Sequence, residues 1–202
     1  DAIPVTTGSR PPIHQSSITA SHYALDSHAV RKREEGRVHL DGFLSYPSAV
    51  YTVPYGVMVP KEVGNLLLPV PVSGSHIGFS TLRMEPCWMA MGQAAGIASA
   101  LSIDGKVKVQ NIDLSRLQDK LVDQKATLMY FKDVDYTSPH FRMVQYLGLR
   151  GYLPEWTARL QEPVDMATLT AWKKLSGKDL PGIEAGKTTR LVALEMIYRK
   201  IK

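Results

Sequence analysis

Apolar residues are concentrated most strongly in the middle of the chain. A run of three leucines at residues 66–68, continued by Val70 and Val72, predicts a strand that is buried on both faces. Pro69 and Pro71 cannot donate to a sheet ladder, so we expect the strand to end, or to reach a sheet edge, at these positions.

A helix is predicted shortly after that strand. Gly and Ser residues favour a turn-rich bridge over residues 73–80, and Pro86 is well placed as the first residue of the helix. The stretch 87–103 contains no charged residue, and the pair at 104–105, Asp-Gly, is a natural stop. Strand, bridge and helix together predict a βα unit.

Small residues are unusually frequent in the predicted helix, and Gly92 and Gly96 lie four residues apart. A glycine inside a helix costs about 1 kcal/mol relative to alanine, so the pair predicts that another backbone, that of a sheet, approaches this face closely. Free N–H groups at the helix N-terminus and in the bridge favour an anion or an electron-rich oxygen.

The remaining pattern is a mixture of short strands and amphipathic helices. Strands or extended segments are predicted at residues 16–23, 38–40, 51–55 and 106–110. Helices are predicted from Asp113 to about Gln124, around Val144 and Leu147, from Asp165 through Leu175, and from Thr188 through Ile201. The fold class is therefore α+β (mixed), and the chain ends in a small, mainly helical domain. A shift in composition near residues 125–130 suggests the boundary, and the divisions are 1–60, 61–128 and 129–202.

Composition excludes several classes of protein. The chain has 202 residues, of which 44% are apolar and 21% are charged. This composition is sufficient for a packed core and is not that of a disordered protein. The net charge of +5 is scattered rather than arrayed with aromatic residues, which argues against nucleic-acid binding. A single cysteine, Cys87, excludes an intrachain disulfide and fits a small core residue. The uncharged helix is rich in Gly, Ala and Ser, which favours a core helix over a membrane span.

Common site motifs are missing from the sequence. The six histidines show no metal-ligand spacing, so no metal site is predicted. Residues 182–188 are one residue short of a phosphate-binding loop and follow no apolar strand. The chain contains no G-x-G-x-x-G fingerprint, which holds the pyrophosphate in dinucleotide-binding domains. Because the chain starts at Asp1 in what reads as a mid-domain loop, we expect a fragment of a larger protein.

Six short motifs between residues 16 and 105 carry a family resemblance. They are DSH at 26–28, PYGVMVP at 54–60, NLLLPV at 65–70, SGSH at 73–76, STLRMEP at 80–86 and MGQAAG at 91–96. In these motifs the chain resembles the C-terminal part of the FAD-dependent oxidoreductases that include the xanthan lyase-like proteins. The resemblance implies that residues 1–60 are part of the substrate-side region and that residues 61–128 are the C-terminal strand and helices of a FAD/NAD(P)-binding-type α/β domain. It also implies an exported bacterial enzyme that oxidises or reduces a small molecule, a sugar derivative being the expected substrate.

The resemblance also implies roles for individual residues around FAD. The expected cofactor-binding residues are Ser73, Gly74, Ser75, Arg83, Met84 and Pro86. The bridge would lie beside the flavin ring, and Arg83 with the helix N-terminus would lie at its pyrimidine edge. His76 is the expected proton-transfer residue. Two alternatives remain open: His76 is merely hydrogen-bonded in a turn, and Arg83 forms an ion pair with Glu85 or Asp26. Without the pyrophosphate segment, we expect this chain alone to bind FAD weakly.

Residues 129–202 resemble a S-layer-homology-like module. The matching features are FKDVD at 131–135, His140-Phe141 and the Thr189-Arg190 pair that opens a helix, whereas the Gly-Asp turn of such modules is missing. The resemblance implies binding of a cell-wall glycan, and the alternative is a helical domain packed against the catalytic part. Two further functions stay open: a non-catalytic module on residues 131–202 that binds a glycan or a protein, and a redox-inactive relative that keeps the fold as a scaffold.

Overall fold

The computed structural model describes residues 13–28 and 43–202, which form helices and small antiparallel sheets. The fold is therefore mixed, with both helices and strands, as the sequence predicts. Contacts divide the chain into two compact units, residues 1–128 and residues 129–202.

The strands of the first unit pair in two short antiparallel ladders. In chain order they are β1 (Ser17–Ser21), β2 (Leu25–His28), β3 (Phe43–Tyr46) and β4 (Tyr51–Pro54). β1 pairs with β4, and β2 pairs with β3. Tyr51 and Val53 alternate inward along β4, where they pack with Ile18 of β1. The strands predicted at 16–23 and 51–55 are confirmed, whereas the one predicted at 38–40 lies outside the described residues.

Three helices complete the first unit: α1 (His76–Leu82), α2 (Glu85–Gly105) and α3 (Leu114–Asp123). One face of α2 is buried through Cys87, Met91, Ala94, Ala98 and Leu101. α3 begins after Asp113, whose side chain accepts hydrogen bonds from the N–H groups of Ser115 and Arg116, as the sequence predicts.

The strand predicted at residues 66–68 is wrong, because this segment lies in no strand of the described chain. Leu66 and Val70 are exposed rather than buried on both faces. The N–H of Leu68 donates instead to the carbonyl of Met58, and the nearby prolines interrupt any longer ladder. The expected parallel βα unit is therefore not formed by the residues that the structure describes.

Several predicted boundaries also need correction. The bridge at 73–80 is only partly a turn, because α1 begins at His76. α2 begins at Glu85, so Pro86 is the second residue of the helix rather than the first. The helix ends at Gly105, after which Lys106 adopts a left-handed conformation with φ of 51°. Residues 106–110 are not simply extended, because a 3-10 turn forms at Val109–Asn111.

The second unit is built from three helices, α4 (Phe141–Leu149), α5 (Met166–Ser176) and α6 (Arg190–Ile201). Val144, Leu147, Trp172, Leu194 and Ile197 are among the side chains that fill its core. The predicted helices are confirmed, with one boundary moved: Thr189 rather than Thr188 caps α6. The hydroxyl of Thr188 instead accepts a hydrogen bond from the N–H of Glu184.

A search of the described residues finds no helix long and apolar enough to cross a membrane. The same residues contain no cluster of His, Cys, Asp and Glu side chains that could hold a metal ion.

Candidate functional site

The first group of predicted site residues forms the entry to α1. Ser75 is the N-cap of this helix, and its hydroxyl accepts a 3.0 Å hydrogen bond from the N–H of Gly78. Ser73, Gly74 and Ser75 are exposed, and so is His76, the first residue of the helix. A Cβ at Gly74 would lie 3.3 Å from the backbone nitrogen of Phe79, so a side chain there would require the turn to shift by a few tenths of an ångström. The hydroxyl of Ser75 is thus already used by the fold.

The second group lies where α1 ends and α2 begins. Met84 is the N-cap of α2, has an extended backbone, and makes no side-chain cap hydrogen bond. Glu85 and Pro86 are exposed. The first N–H groups of a helix have no partner within the helix, and a 21-residue helix directs the positive end of its dipole toward them. Because Pro86 has no N–H and Glu85 places a carboxylate in this first turn, only part of the positive end of α2 is available to a ligand that accepts hydrogen bonds.

Arg83 lies between these two helices and forms an ion pair with Asp26 of β2. Its Nη2 atom is 2.9 Å from Oδ2 and 3.1 Å from Oδ1 of the carboxylate. The hydroxyl of Tyr23 donates to the same carboxylate at 3.2 Å, and the guanidinium lies 5.8 Å from the centroid of the Tyr23 ring. The alternative in which Arg83 pairs with Asp26 is confirmed.

The two groups are separated by the length of α1. Its seven residues place the N-cap of α1 and the N-terminus of α2 about 10 Å apart along the helix axis. His76 is therefore at one end of α1, and Arg83, Met84 and Pro86 are at the other. Whether a flavin contacts both groups stays a prediction.

Buried hydrogen bonds hold this junction on the sheet. The hydroxyl of Tyr51 donates a 2.6 Å hydrogen bond to the carbonyl of Thr81, and burial raises the pKa of Tyr51. Cys87, on the first turn of α2, is also buried, which raises the pKa of its thiol. A buried, protonated thiol is chemically inert, in agreement with its interpretation as a core residue.

The small-residue face of α2 is exposed. Gly92 and Gly96 have no atom within 4 Å of an added Cβ, and Met89 and Ile103 along the same face are 75% and 76% exposed. The sheet predicted to press on this face is not supplied by the residues that the structure describes. What remains is an uncharged helix face without a packing partner in that part of the chain.

Two residues of the first unit that hold Asp26, Tyr23 and Ser80, are not predicted from the sequence. Tyr23 donates to the carboxylate of Asp26, and the hydroxyl of Ser80 accepts from the N–H of Asp26 at 3.1 Å. The contact with Ser80 depends on β2 lying against α1, a tertiary arrangement that local patterns do not reveal. The only local signal is the spacing of Tyr23 and Asp26, three residues apart at the start of a strand.

The second unit contains one buried cation, Arg190 at the start of α6, which is 3% exposed. Its Nε donates to the carbonyl of Ala158 at 2.9 Å, and its guanidinium lies 5.3 Å from the ring centroid of Trp172. Burial and the nearby charge of Arg159 lower the pKa of Arg190. The loop that carries Ala158 is fixed by the carboxylate of Asp133, which accepts 2.8 Å hydrogen bonds from the N–H groups of Ala158 and Arg159.

With this geometry in place, comparison with known proteins identifies the first unit. The sequence model of the family described as FAD dependent oxidoreductase matches residues 9–121, more than half of the chain. The chain belongs to this family. No curated protein and no solved structure matches it.

The family match spans α1, α2 and every residue predicted to bind the cofactor. FAD is the cofactor of this oxidoreductase family. The described residues suit one part of the FAD molecule, because a helix N-terminus without a side-chain cap favours the electron-rich edge of the flavin ring. They do not offer a phosphate-binding turn, since the sequence has no G-x-G-x-x-G. The narrower likeness to xanthan lyase-like proteins, and the S-layer-homology-like character of residues 129–202, stay predictions.

Proposed function

We propose that this chain is the C-terminal portion of a FAD-dependent oxidoreductase and supplies the flavin-ring side of its active site. The observation that carries the proposal is the N-terminus of α2, which no side chain caps and which opens beside Arg83. In a family whose members use FAD, such an end is suited to the oxygen and nitrogen atoms of the pyrimidine edge.

Bound FAD would accept or donate the electron pair, and residues of this chain would orient the reactants. The dipole of α2 favours negative charge at its N-terminus, which is where a reduced flavin would carry it. His76, exposed at the entry to α1, would exchange a proton with the substrate because an imidazole ring can both accept and donate one. We propose a small-molecule substrate, a sugar derivative in particular, and an exported bacterial enzyme.

The intact enzyme would have to provide the pyrophosphate-binding segment. The exposed face of α2 supports this view, because Gly92 and Gly96 leave room for another backbone and Met89 and Ile103 leave apolar surface to cover. We propose that the nucleotide-binding sheet of the intact protein covers this face.

Absorbance of the purified intact protein in the flavin band tests the main proposal. Bound FAD released by denaturation supports it, and a colourless intact protein that takes up no added FAD overturns it. The 202-residue chain should bind FAD weakly, because it lacks the pyrophosphate segment. Titration of this chain that yields a micromolar Kd or better would contradict that expectation.

The second candidate is a binding module on residues 131–202, and Arg190 is the observation that favours it. Within the described chain, its terminal guanidinium nitrogens have no hydrogen-bond partner, although the side chain is almost completely buried. These nitrogens are not sealed from solvent, so they would donate to an acceptor oxygen of a cell-wall glycan or of a protein. The carboxylates of Glu155, Glu162 and Asp165 offset part of its charge, which favours a neutral hydroxyl acceptor over an anion.

Retention of the 202-residue chain on cell-wall polysaccharide separates the two candidates. Arg190→Lys keeps the charge but loses the planar fork of donors, so retention should fall if Arg190 binds the glycan. The matched control is Arg199→Lys on an exposed position of the same helix. If the wild-type chain is not retained, glycan binding by residues 131–202 is contradicted and their helices have a structural role.

A further inference from the structure

In the second unit, α5 and α6 begin side by side and end side by side. Pro163, just before α5, forms an antiparallel β-bridge with Thr189, the N-cap of α6. At the other end, Nζ of Lys178 donates to the carbonyl of Lys200 at 3.0 Å, and Nζ of Lys200 lies 3.4 Å from the carbonyl oxygen of Asp179. The two helices therefore run in the same direction, and their C-termini lie together.

The helix α4 ends at the same place. Cζ of Arg150, the residue that follows α4, lies 3.5 Å from the ring centroid of Tyr146, and Nζ of Lys202 lies 5.1 Å from the same centroid. The ring of Tyr198 in α6 meets the ring of Tyr146 edge-on, with 5.2 Å between the centroids. Three helix C-termini therefore meet at one end of this unit.

Five cations lie at the ends of α5 and α6, and we name them the basic end: Lys173, Lys174, Lys178, Arg199 and Lys200. All five are exposed. Within the part of the chain that the structure describes, none of them forms an ion pair with a carboxylate. These cations are in two separate stretches of the sequence, and the parallel packing of α5 and α6 brings them together.

Helix dipoles account for only part of this charge. The C-terminus of a helix is equivalent to about half a negative charge, so three such ends balance fewer than two cations. The carboxylate of Asp179 balances at most one more, and Glu195, one turn earlier in α6, lies 3.9 Å from His140 instead. The basic end therefore retains a net positive charge on an exposed surface.

We propose that the basic end docks on the negatively charged surface of a phospholipid bilayer. Leu175, in the same last turn of α5, is 50% exposed and would enter the headgroup region beside the lysines. Four of the five cations are lysines, and a compact charge on a flexible stem suits a diffuse layer of headgroups better than it suits one fixed anion. This contact is peripheral to the bilayer. It does not rest on the proposed function, because it uses no residue of the candidate flavin site.

A single-stranded nucleic acid is the competing polyanion, and the tyrosines at this end argue against it. Proteins that bind single strands stack the bases on exposed aromatic faces. Here Arg150 already covers the ring of Tyr146, and Nζ of Lys202 lies 5.5 Å from the ring centroid of Tyr198. The basic end thus offers charge without a stacking platform, which is sufficient for a lipid surface but not for bases.

Co-sedimentation of the 202-residue chain with lipid vesicles tests the proposal. The chain should sediment with vesicles of phosphatidylcholine and phosphatidylglycerol, and it should stay in solution with vesicles of phosphatidylcholine alone. Binding should fall steeply with added salt, because the Debye length shrinks from about 30 Å at 0.01 M salt to about 8 Å at 0.15 M. Equal binding to both kinds of vesicle, or binding to neither, overturns the proposal.

A double variant, Lys173→Gln with Lys174→Gln, removes two charges from the basic end. Each lysine near an anionic bilayer changes the affinity about fivefold, so this variant should bind about 25-fold more weakly. The matched control, Lys108→Gln with Lys120→Gln, removes the same charge from exposed positions of the first unit and should bind like the wild type. Leu175→Ser should weaken binding without changing its dependence on salt, because it removes apolar contact and no charge.

Two further outcomes would overturn the proposal. Equal loss of binding in the two double variants would mean that net charge alone attracts the chain. Retention of the wild type on single-stranded DNA, at a salt concentration at which it no longer binds the anionic vesicles, would assign the basic end to nucleic acid. Circular dichroism checks that the variants fold. If the Lys173 and Lys174 variant does not, Arg199→Gln on α6 decides, with an expected loss of about fivefold.

Discussion

The hydroxyl of Tyr51 on β4 donates a 2.6 Å hydrogen bond to the carbonyl of Thr81 in the last turn of α1. Both residues are buried, so the bond connects the sheet of β1 and β4 to the helix that precedes the candidate site. The position of that site therefore depends on the packing of a tyrosine some 30 residues away in the sequence.

Tyr51→Phe should destabilise the chain, because it leaves the buried carbonyl of Thr81 without a donor. The expected loss is about 1–3 kcal/mol in the free energy of unfolding. Urea denaturation followed by circular dichroism measures it. The control is Tyr46→Phe, on an exposed tyrosine of β3, which should have little effect. Equal stabilities for the two variants would show that the hydrogen bond contributes nothing.

Alkaline pH should weaken the folded state through Tyr55. Burial raises the pKa of Tyr55 to about 12, from 10.0 when exposed, and its hydroxyl donates to the carbonyl of Val109 at 2.9 Å. Since the folded-state pKa is the higher one, this contribution to stability is complete below pH 10 and is lost as the pH rises from 10 toward 12.

Tyrosinate absorbance during an alkaline titration checks the assignment. Ionisation near pH 12 should be present in the folded chain, and Tyr55→Phe should reduce the amplitude of that late step by one tyrosine, because the pKa of buried Tyr51 is raised as well. Tyr136→Phe, on an exposed tyrosine, should leave the late step unchanged. A late step of unchanged amplitude in Tyr55→Phe would contradict the raised pKa of Tyr55.

Gly148→Ala should destabilise the second unit. A Cβ at this position of α4 would lie 3.0 Å from Sδ of Met129 and 3.0 Å from Cζ of Phe131, both in the core. Crowding of this kind costs about 1–3 kcal/mol, more than the helix propensity gained from alanine. Thermal unfolding of the wild-type chain and the variant gives the difference. An unchanged Tm would mean that Met129 and Phe131 move aside freely.

Gly92→Ala should have opposite effects on the 202-residue chain and on the intact flavoprotein. In this chain nothing lies near the added methyl group, so the variant should be more stable by up to about 1 kcal/mol. If the nucleotide-binding sheet covers this face in the intact enzyme, the same methyl group should weaken FAD retention there. Full retention of FAD by the intact variant would contradict coverage of this face.

Local signals in the sequence were sufficient to predict most of the helices and two of the strands. Asp113 and Asp165 marked the starts of α3 and α5 because a carboxylate that caps a helix must directly precede it. The loose alternation over residues 16–23 and the extended character of residues 51–55 were likewise visible, since neither depends on distant contacts.

Features that depend on distant partners could not be predicted in the same way. The leucines at 66–68 have the composition of a buried strand, yet a strand requires a neighbour to bond with, and the described chain supplies none there. The pairing of Arg83 with Asp26 was foreseen only as one of two alternatives. Ser80 and Tyr23 hold Asp26 in place for this pairing, and the contact with Ser80, 54 residues away, has no local pattern.

The short length of α1 sets a minimum size for any molecule that contacts both of its ends. A compact monosaccharide would touch either His76 or the region of Arg83, whereas an elongated planar ring system lying along the helix would reach both. Insertion of one residue into α1 would turn one end by about 100° relative to the other and lengthen the helix by about 1.5 Å. The number of residues in α1 therefore sets the distance between its two ends. A natural insertion or deletion in α1 would change which ligands fit without altering any contacting side chain.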